Sequence, residues 1–303
     1  MLNHPIYEQL EKRILIIDGA MGTMLQAENL TPDDFGGEEL DGCNENLVIT
    51  RPDVIKKVHR AYLEAGADII CTNTFGGTPL VLNEYDLSDK ADEINTLAVK
   101  IAKEAASEFS TSTWPRFVAG AMGPTTKTLS VTGGITFEEL EENFYKQAYS
   151  LVKAGSDLIL LETSQDMLNV KAATIGINRA FEELNTVLPV MISGTIEPMG
   201  TTLAGQSIEA FYISIEHIKP LSVGLNCATG PEFMTDHIRS LSDLATSYVS
   251  CYPNAGLPDE EGCYHETPDS LSKKLRGFAD KGWLNIVGGC WGTTPAHIAA
   301  IRE

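Results

Sequence analysis

The chain has 303 residues, 22 Lys and Arg against 42 Asp and Glu, and a formal net charge of -20. Apolar residues at 43% and charged residues at 21% give a globular rather than disordered composition, at a length that suits one α/β barrel of ~250 residues or two ordinary domains. The acidic balance argues against a nucleic acid or an anionic membrane as the main partner, and six cysteines spread over so long a chain are not a secreted disulfide scaffold.

The opening MLNHPIYEQLEKR carries no apolar signal-peptide core, and no apolar run is long enough to span a bilayer. The expected location is the cytoplasm. Cysteines there are reduced and serve as packing residues, metal ligands or nucleophiles. Eight short apolar segments then read as strands, in chain order 14–18, 68–74, 117–123, 157–163, 189–195, 221–227, 247–251 and 284–290. None alternates cleanly between polar and apolar, as expected when helices cover both faces of a parallel sheet.

Helical pattern fills most of the gaps. Pro52 opens and Gly66 closes PDVIKKVHRAYLEAG. Thr136 and Glu139 form a capping-box pattern, Asp166 opens the next helix, and Pro295 opens the last, which carries His297. One junction recurs: LEAGADII, VKAGSDLIL and DKGWLNIV all read helix, glycine, strand. Eight βα units without a linker between them predict a single (β/α)8 TIM barrel over residues 1–303. A doubly wound open sheet is the alternative.

In such barrels the site lies at the C-terminal mouth. The predicted strands end there in small, polar or thiol residues, among them Asp18, Glu162, Ser193, Asn226, Cys227, Cys251 and Cys290. DGAMGT at 18–23 offers a carboxylate and small residues that let backbone N–H groups approach a ligand, or else simply a tight turn. Glu162 closes a very apolar run, where a carboxylate suits an amine. Thiols at two strand ends suit zinc, although buried free cysteine is common and the chain has no CxxC or HExxH.

Six segments share a resemblance: DGAMGTMLQ, EAGADIICTNTFGGT, LLETSQDMLNVKAA, GLNCATGPE, YPNAGLPDEEG and LNIVGGCWGTTPAHIAAI. Together they resemble the homocysteine-binding module of cobalamin-dependent methionine synthase and, more broadly, the zinc-dependent homocysteine S-methyltransferases. The resemblance runs from about residue 10 to the C-terminus. It implies a barrel in which zinc binds homocysteine sulfur for attack on a methyl donor. It places Asp18, Gly19, Ala20, Glu162, Ser193 and Asn226 around the amino acid, with Asp18 and Glu162 on the ammonium and backbone amides near Gly19 and Ala20 on the carboxylate. The implied donor is methylcobalamin, held by a corrinoid-binding module or protein. Folate- and cobalamin-binding modules are absent from this chain.

The sequence departs from the family at one place. The zinc motif there is a cysteine on strand six and a Cys-Cys pair on strand eight. Cys227 and Cys290 match, but Trp291 stands where the second thiol of the pair belongs. Cys251 on the neighbouring strand is the expected replacement, giving Cys227, Cys251 and Cys290 as metal ligands; Cys263 or His265 is the reserve. The alternatives are a different donor or thiol acceptor, or a metal-free barrel that binds an amino acid or protein. Cys71 reads as barrel packing, and the small polar stretch 123–134 as a lip over the mouth.

Overall fold

The computed structural model describes residues 3–262 and 264–303, so the reserve ligand Cys263 lies outside the described residues. Each predicted run holds a strand: β1 (Leu15–Ile16), β2 (Ile69–Cys71), β3 (Phe117–Met122), β4 (Leu158–Ser164), β5 (Val190–Gly194), β6 (Ser222–Asn226), β7 (Tyr248–Tyr252) and β8 (Ile286–Val287). All pairings are parallel, in the order β1-β8-β7-β6-β5-β4-β3-β2. The Ile17–Ile69 bridge and an Asp18 N–H to Ile69 carbonyl bond of 2.9 Å bring β1 onto β2 and complete the ring. The chain is therefore a single (β/α)8 barrel, as its strand spacing predicts.

Eight helices surround it: α1 (Pro52–Ala65), α2 (Ala91–Phe109), α3 (Phe137–Lys153), α4 (Met167–Glu183), α5 (Ile208–Ile215), α6 (Pro231–Leu244), α7 (Pro268–Ala279) and α8 (Pro295–Arg302). Thr136 and Glu139 cap α3 reciprocally, and the Asp166 side chain accepts from the Leu168 N–H at the start of α4. The recurring glycine junction has one cause. Gly66, Gly155 and Gly282 take φ of 107°, 101° and 74°, a left-handed turn that ends a helix cheaply only without a Cβ.

Two apolar layers follow from strand alternation. Val118, Ile159, Ile192, Val223 and Cys251 face the helices, whereas Ile69, Phe117, Leu160, Met191 and Tyr252 face the barrel axis. Burial of each large aliphatic contributes roughly 1.5–3 kcal/mol, before the entropy cost of ordering it. Ile6 and Leu10 of the helix Pro5–Leu10 join the inner layer. Beside them Asp68 accepts from both Arg13 guanidinium nitrogens at 2.6 and 2.8 Å and from Trp114 Nε1 at 2.6 Å. The N-terminal end of the barrel is thus plugged, and the opening lies at the strand C-termini.

Candidate active site

A cavity of about 220 Å³ occupies that opening, lined by residues in or just after β1, β2, β3, β4, β6, β7 and β8. Asp18, Gly19, Ala20, Glu162, Cys227 and Cys290 all reach its wall. Cys227 follows β6 in the left-handed region, at φ 61°, with Ala228 at 49°. This bend costs a non-glycine residue roughly 1–2 kcal/mol. It is stabilised by the Thr229 N–H on the Cys227 carbonyl at 2.6 Å and by Thr195 Oγ1 on the Asn226 carbonyl at 3.0 Å.

The bend carries the Cys227 sulfur to 2.7 Å from Cys290 Sγ. Both cysteines are free, and either thiol can donate in this contact. The contact holds the Cys227 thiol below the usual cysteine range and pushes that of Cys290 well above it, with burial raising both.

Cys251 does not join them. It is fully buried in the outer layer, and its Sγ lies 3.8 Å from Met234 Sδ of α6. Tyr252, one residue on, takes the inward position on the cavity wall. The expected third ligand is therefore on the wrong face of β7, since adjacent strand residues point to opposite sides. Among the described residues no group of three His, Cys, Asp or Glu side chains is arranged to hold a metal ion. Trp291, 40% exposed, lies across the mouth against Gly22, where an added Cβ would come within 2.8 Å of the indole.

The two carboxylates are set differently. Asp18 Oδ2 accepts the Cys71 N–H at 2.8 Å, yet burial still raises its pKa to about 7. Glu162 is raised to about 8 by burial first, then by the charges of Cys227 and Asp18. No hydrogen bond or salt bridge to the Glu162 side chain occurs among the described residues. Burial disfavours the charge of an unpaired acid in such a place, and a nearby cation would favour it.

Ser193 and Asn226 form the buried support of the wall rather than the wall itself. Ser193 Oγ donates to Asn226 Oδ1 at 2.6 Å, and Asn226 in turn clasps Thr163 beside Glu162. Gly19 sits where a Cβ would come within 2.7 Å of Thr293 Oγ1 and 2.8 Å of the Tyr62 ring. The Ala20 N–H donates to Thr293 Oγ1 at 3.2 Å, and its carbonyl accepts from Tyr62 at 3.0 Å.

The wall also holds residues outside the predicted set, Cys71, Asn73 and Glu45 among them. Cys71 packs against the inner layer, as expected, and also lines the cavity; burial raises its thiol well above the ordinary range. TNT at the end of β2 is a polar strand end of the kind that marks the other site residues; CNEN has no such signal, because its loop follows no periodic pattern. The stretch 123–134 is tied to α4 rather than to the cavity: Ser130 bonds Asp166 at 2.6 and 2.9 Å, and the Leu129 N–H donates to Asn169 at 2.9 Å.

Paired thiols and two carboxylates without a cationic partner among the described residues thus meet at the C-terminal mouth of a parallel barrel. The family follows from the sequence as a whole. Residues 15–303 match the homocysteine S-methyltransferase family, and the chain belongs to it. It is a methyltransferase, and the family's reaction is methyl transfer to homocysteine. Among solved structures it is similar to the homocysteine methyltransferase MmuM from Escherichia coli. The oxidized form matches at 23% identity and the metallated form at 22%, each with a TM-score of 0.81 over 99% of both chains. At these identities the likeness establishes the fold.

Proposed function

We propose that this barrel methylates the thiol of homocysteine to give methionine, with zinc held at Cys227 and Cys290 and methylcobalamin as donor, carried by a corrinoid-binding module or protein. The observation that carries the reading is the 2.7 Å approach of two thiols on the wall that also holds Asp18 and Glu162. Two converging sulfurs suit a thiophilic cation, and Cys251 and the Trp291 indole offer it no third ligand. A bound zinc would supply acidification of a thiol that, at a pKa of ~8.5, is mostly protonated at neutral pH.

The chain's own residues do the rest. Asp18 and Glu162 hold the substrate ammonium, and its arrival favours their ionised forms. The Gly19 amide faces the substrate carboxylate, since the Ala20 N–H is engaged by Thr293. Ser193 and Asn226 act through Thr163 to fix Glu162. The substrate sulfur then forms the new S–C bond as the donor's bond to the same carbon breaks, and that electron pair stays with the donor. Phe75 and Trp291, 44% and 40% exposed at the mouth, wall the path and limit water. The same two aromatics favour, as a second reading, a free cationic methyl donor held by cation–π attraction. No helix among the described residues is long and apolar enough to cross a membrane; we place the reaction in the cytoplasm.

Metal analysis tests the zinc assignment. Cys227→Ser and Cys290→Ser should each lose most bound zinc, while Cys251→Ser keeps it. Equal retention in all three variants would remove the thiol pair from the metal site.

A further inference from the structure

Glu45 lies in the turn Asn44–Asn46, between β1 and α1, and lines the cavity. Its Oε1 accepts the Gly76 N–H at 2.7 Å. Next to it, the Asn44 carbonyl accepts from Asn73 Nδ2, also at 2.7 Å. These two bonds bracket Phe75. On the far side, the Gly123 N–H after β3 donates to the Phe75 carbonyl at 3.0 Å. The Phe75 ring covers Gly123 so closely that an added Cβ would come within 2.7 Å of it. Phe75 is nonetheless 44% exposed and forms part of the cavity wall. A large aromatic is thus held out at the mouth by a loop pinned on both sides, when burial elsewhere would favour it.

Glu45 has no salt bridge among the described residues, and burial raises its pKa. A half-buried carboxylate without a cation is a poor way to stabilise a fold. It does make a stronger acceptor for a backbone N–H than a neutral group would. The pairing is better explained by what it positions.

We propose that Glu45 is a positioning residue for the methyl donor: by fixing the Gly76 amide it holds the Phe75 ring as the donor-side wall of the cavity. This rests on the methyl-transfer reading above. Among the described residues no hydrogen bond or salt bridge joins Glu45 to Asp18, Glu162 or the thiols, so homocysteine binding should not depend on it.

The test compares Glu45→Ala, Glu45→Gln, Phe75→Ala and the Glu45→Ala/Phe75→Ala double variant in the full zinc-loaded chain. Free methylcobalamin serves as donor. Glu45→Ala should raise the donor KM about tenfold, equivalent to ~1.4 kcal/mol, and leave the calorimetric homocysteine Kd within about twofold. Glu45→Gln keeps an acceptor for Gly76 and should restore most of the loss. The double variant should be no worse than Phe75→Ala alone, as expected of residues acting as one unit. Hydrogen exchange reads the same tie without turnover: segment 72–77 should exchange about tenfold faster in Glu45→Ala and near the wild-type rate in Glu45→Gln. Should Glu45→Ala melt below the assay temperature, Glu45→Asp, one methylene short of Gly76, replaces it. An unchanged donor KM with normal wild-type turnover would overturn the inference alone, as would multiplying effects of the two substitutions. Wild-type protein without turnover would instead sink the methyl-transfer reading.

Discussion

Asn226 at the end of β6 holds Thr163 at the end of β4 by two hydrogen bonds, reaching across β5. Its Oδ1 accepts the Thr163 N–H at 3.0 Å, and its Nδ2 donates to Thr163 Oγ1 at 2.8 Å. Thr163 needs that support, because its φ of 57° is left-handed and the β4–β5 register shifts between Leu161 and Ser164. The irregularity aims Glu162 at the cavity. Asn226→Ala should therefore cost ~1–3 kcal/mol of stability, the penalty for orphaned buried partners. It should also weaken homocysteine binding although Asn226 itself lies beneath the wall. Chemical denaturation and calorimetry measure the two effects; full stability with unchanged affinity would count against the clasp.

The acidic pair predicts opposite effects on stability and binding. Asp18 and Glu162 ionise near 7 and 8 in the folded chain, against ~3.9 and ~4.3 when unfolded. Between about pH 4 and pH 8 the folded state thus holds more protons, and its stability falls as pH rises through that window. Asp18→Asn and Glu162→Gln should match the wild type near pH 4 and be more stable at pH 8, by on the order of a few kcal/mol. The same variants should bind homocysteine at least about tenfold more weakly, having lost the partners of its ammonium. Thermal melts of the ligand-free protein across pH give the first result. A wild-type melting temperature that rises from pH 5 to pH 8 relative to these variants would contradict it.

On the proposed reading homocysteine binding should release protons near pH 7, because the ammonium would favour the ionised carboxylates and a bound zinc would acidify the substrate thiol. Calorimetry in buffers of different ionisation enthalpy counts them. Zero net release at pH 7 would oppose this account of the head-group site.

Trp291 offers a gain-of-affinity test. Trp291→Cys supplies the vicinal thiol expected from the sequence resemblance and removes the indole from Gly22. Zinc affinity should rise by about tenfold or more with a third thiolate, read by competition with a chromophoric chelator. An unchanged affinity would mean that position 291 does not reach the thiol pair.

What was legible in the sequence was mostly local. The apolar runs marked all eight strands because a parallel strand buried on both faces has no other composition open to it. Gly66, Gly155 and Gly282 marked helix ends because only glycine takes that turn cheaply. The same uniform burial hid the orientation of Cys251. A strand apolar on both faces carries no alternation to tell inward from outward, so a thiol at the end of β7 looked equivalent to those after β6 and β8. Cys227 reaches the cavity through a left-handed bend beyond its strand, and no single residue announces that bend. Glu45 was invisible for another reason: its hydrogen-bond partner is Gly76, 31 residues away and on another loop.

The most direct test of the account is methyl transfer itself. Zinc-loaded protein is mixed with homocysteine and methylcobalamin, and both the loss of methylcobalamin absorbance and the methionine formed are followed. The account predicts equal, homocysteine-dependent amounts of each, abolished in Cys227→Ser and Cys290→Ser and retained in Cys251→Ser. Unchanged methylcobalamin and no methionine at saturating homocysteine would contradict it.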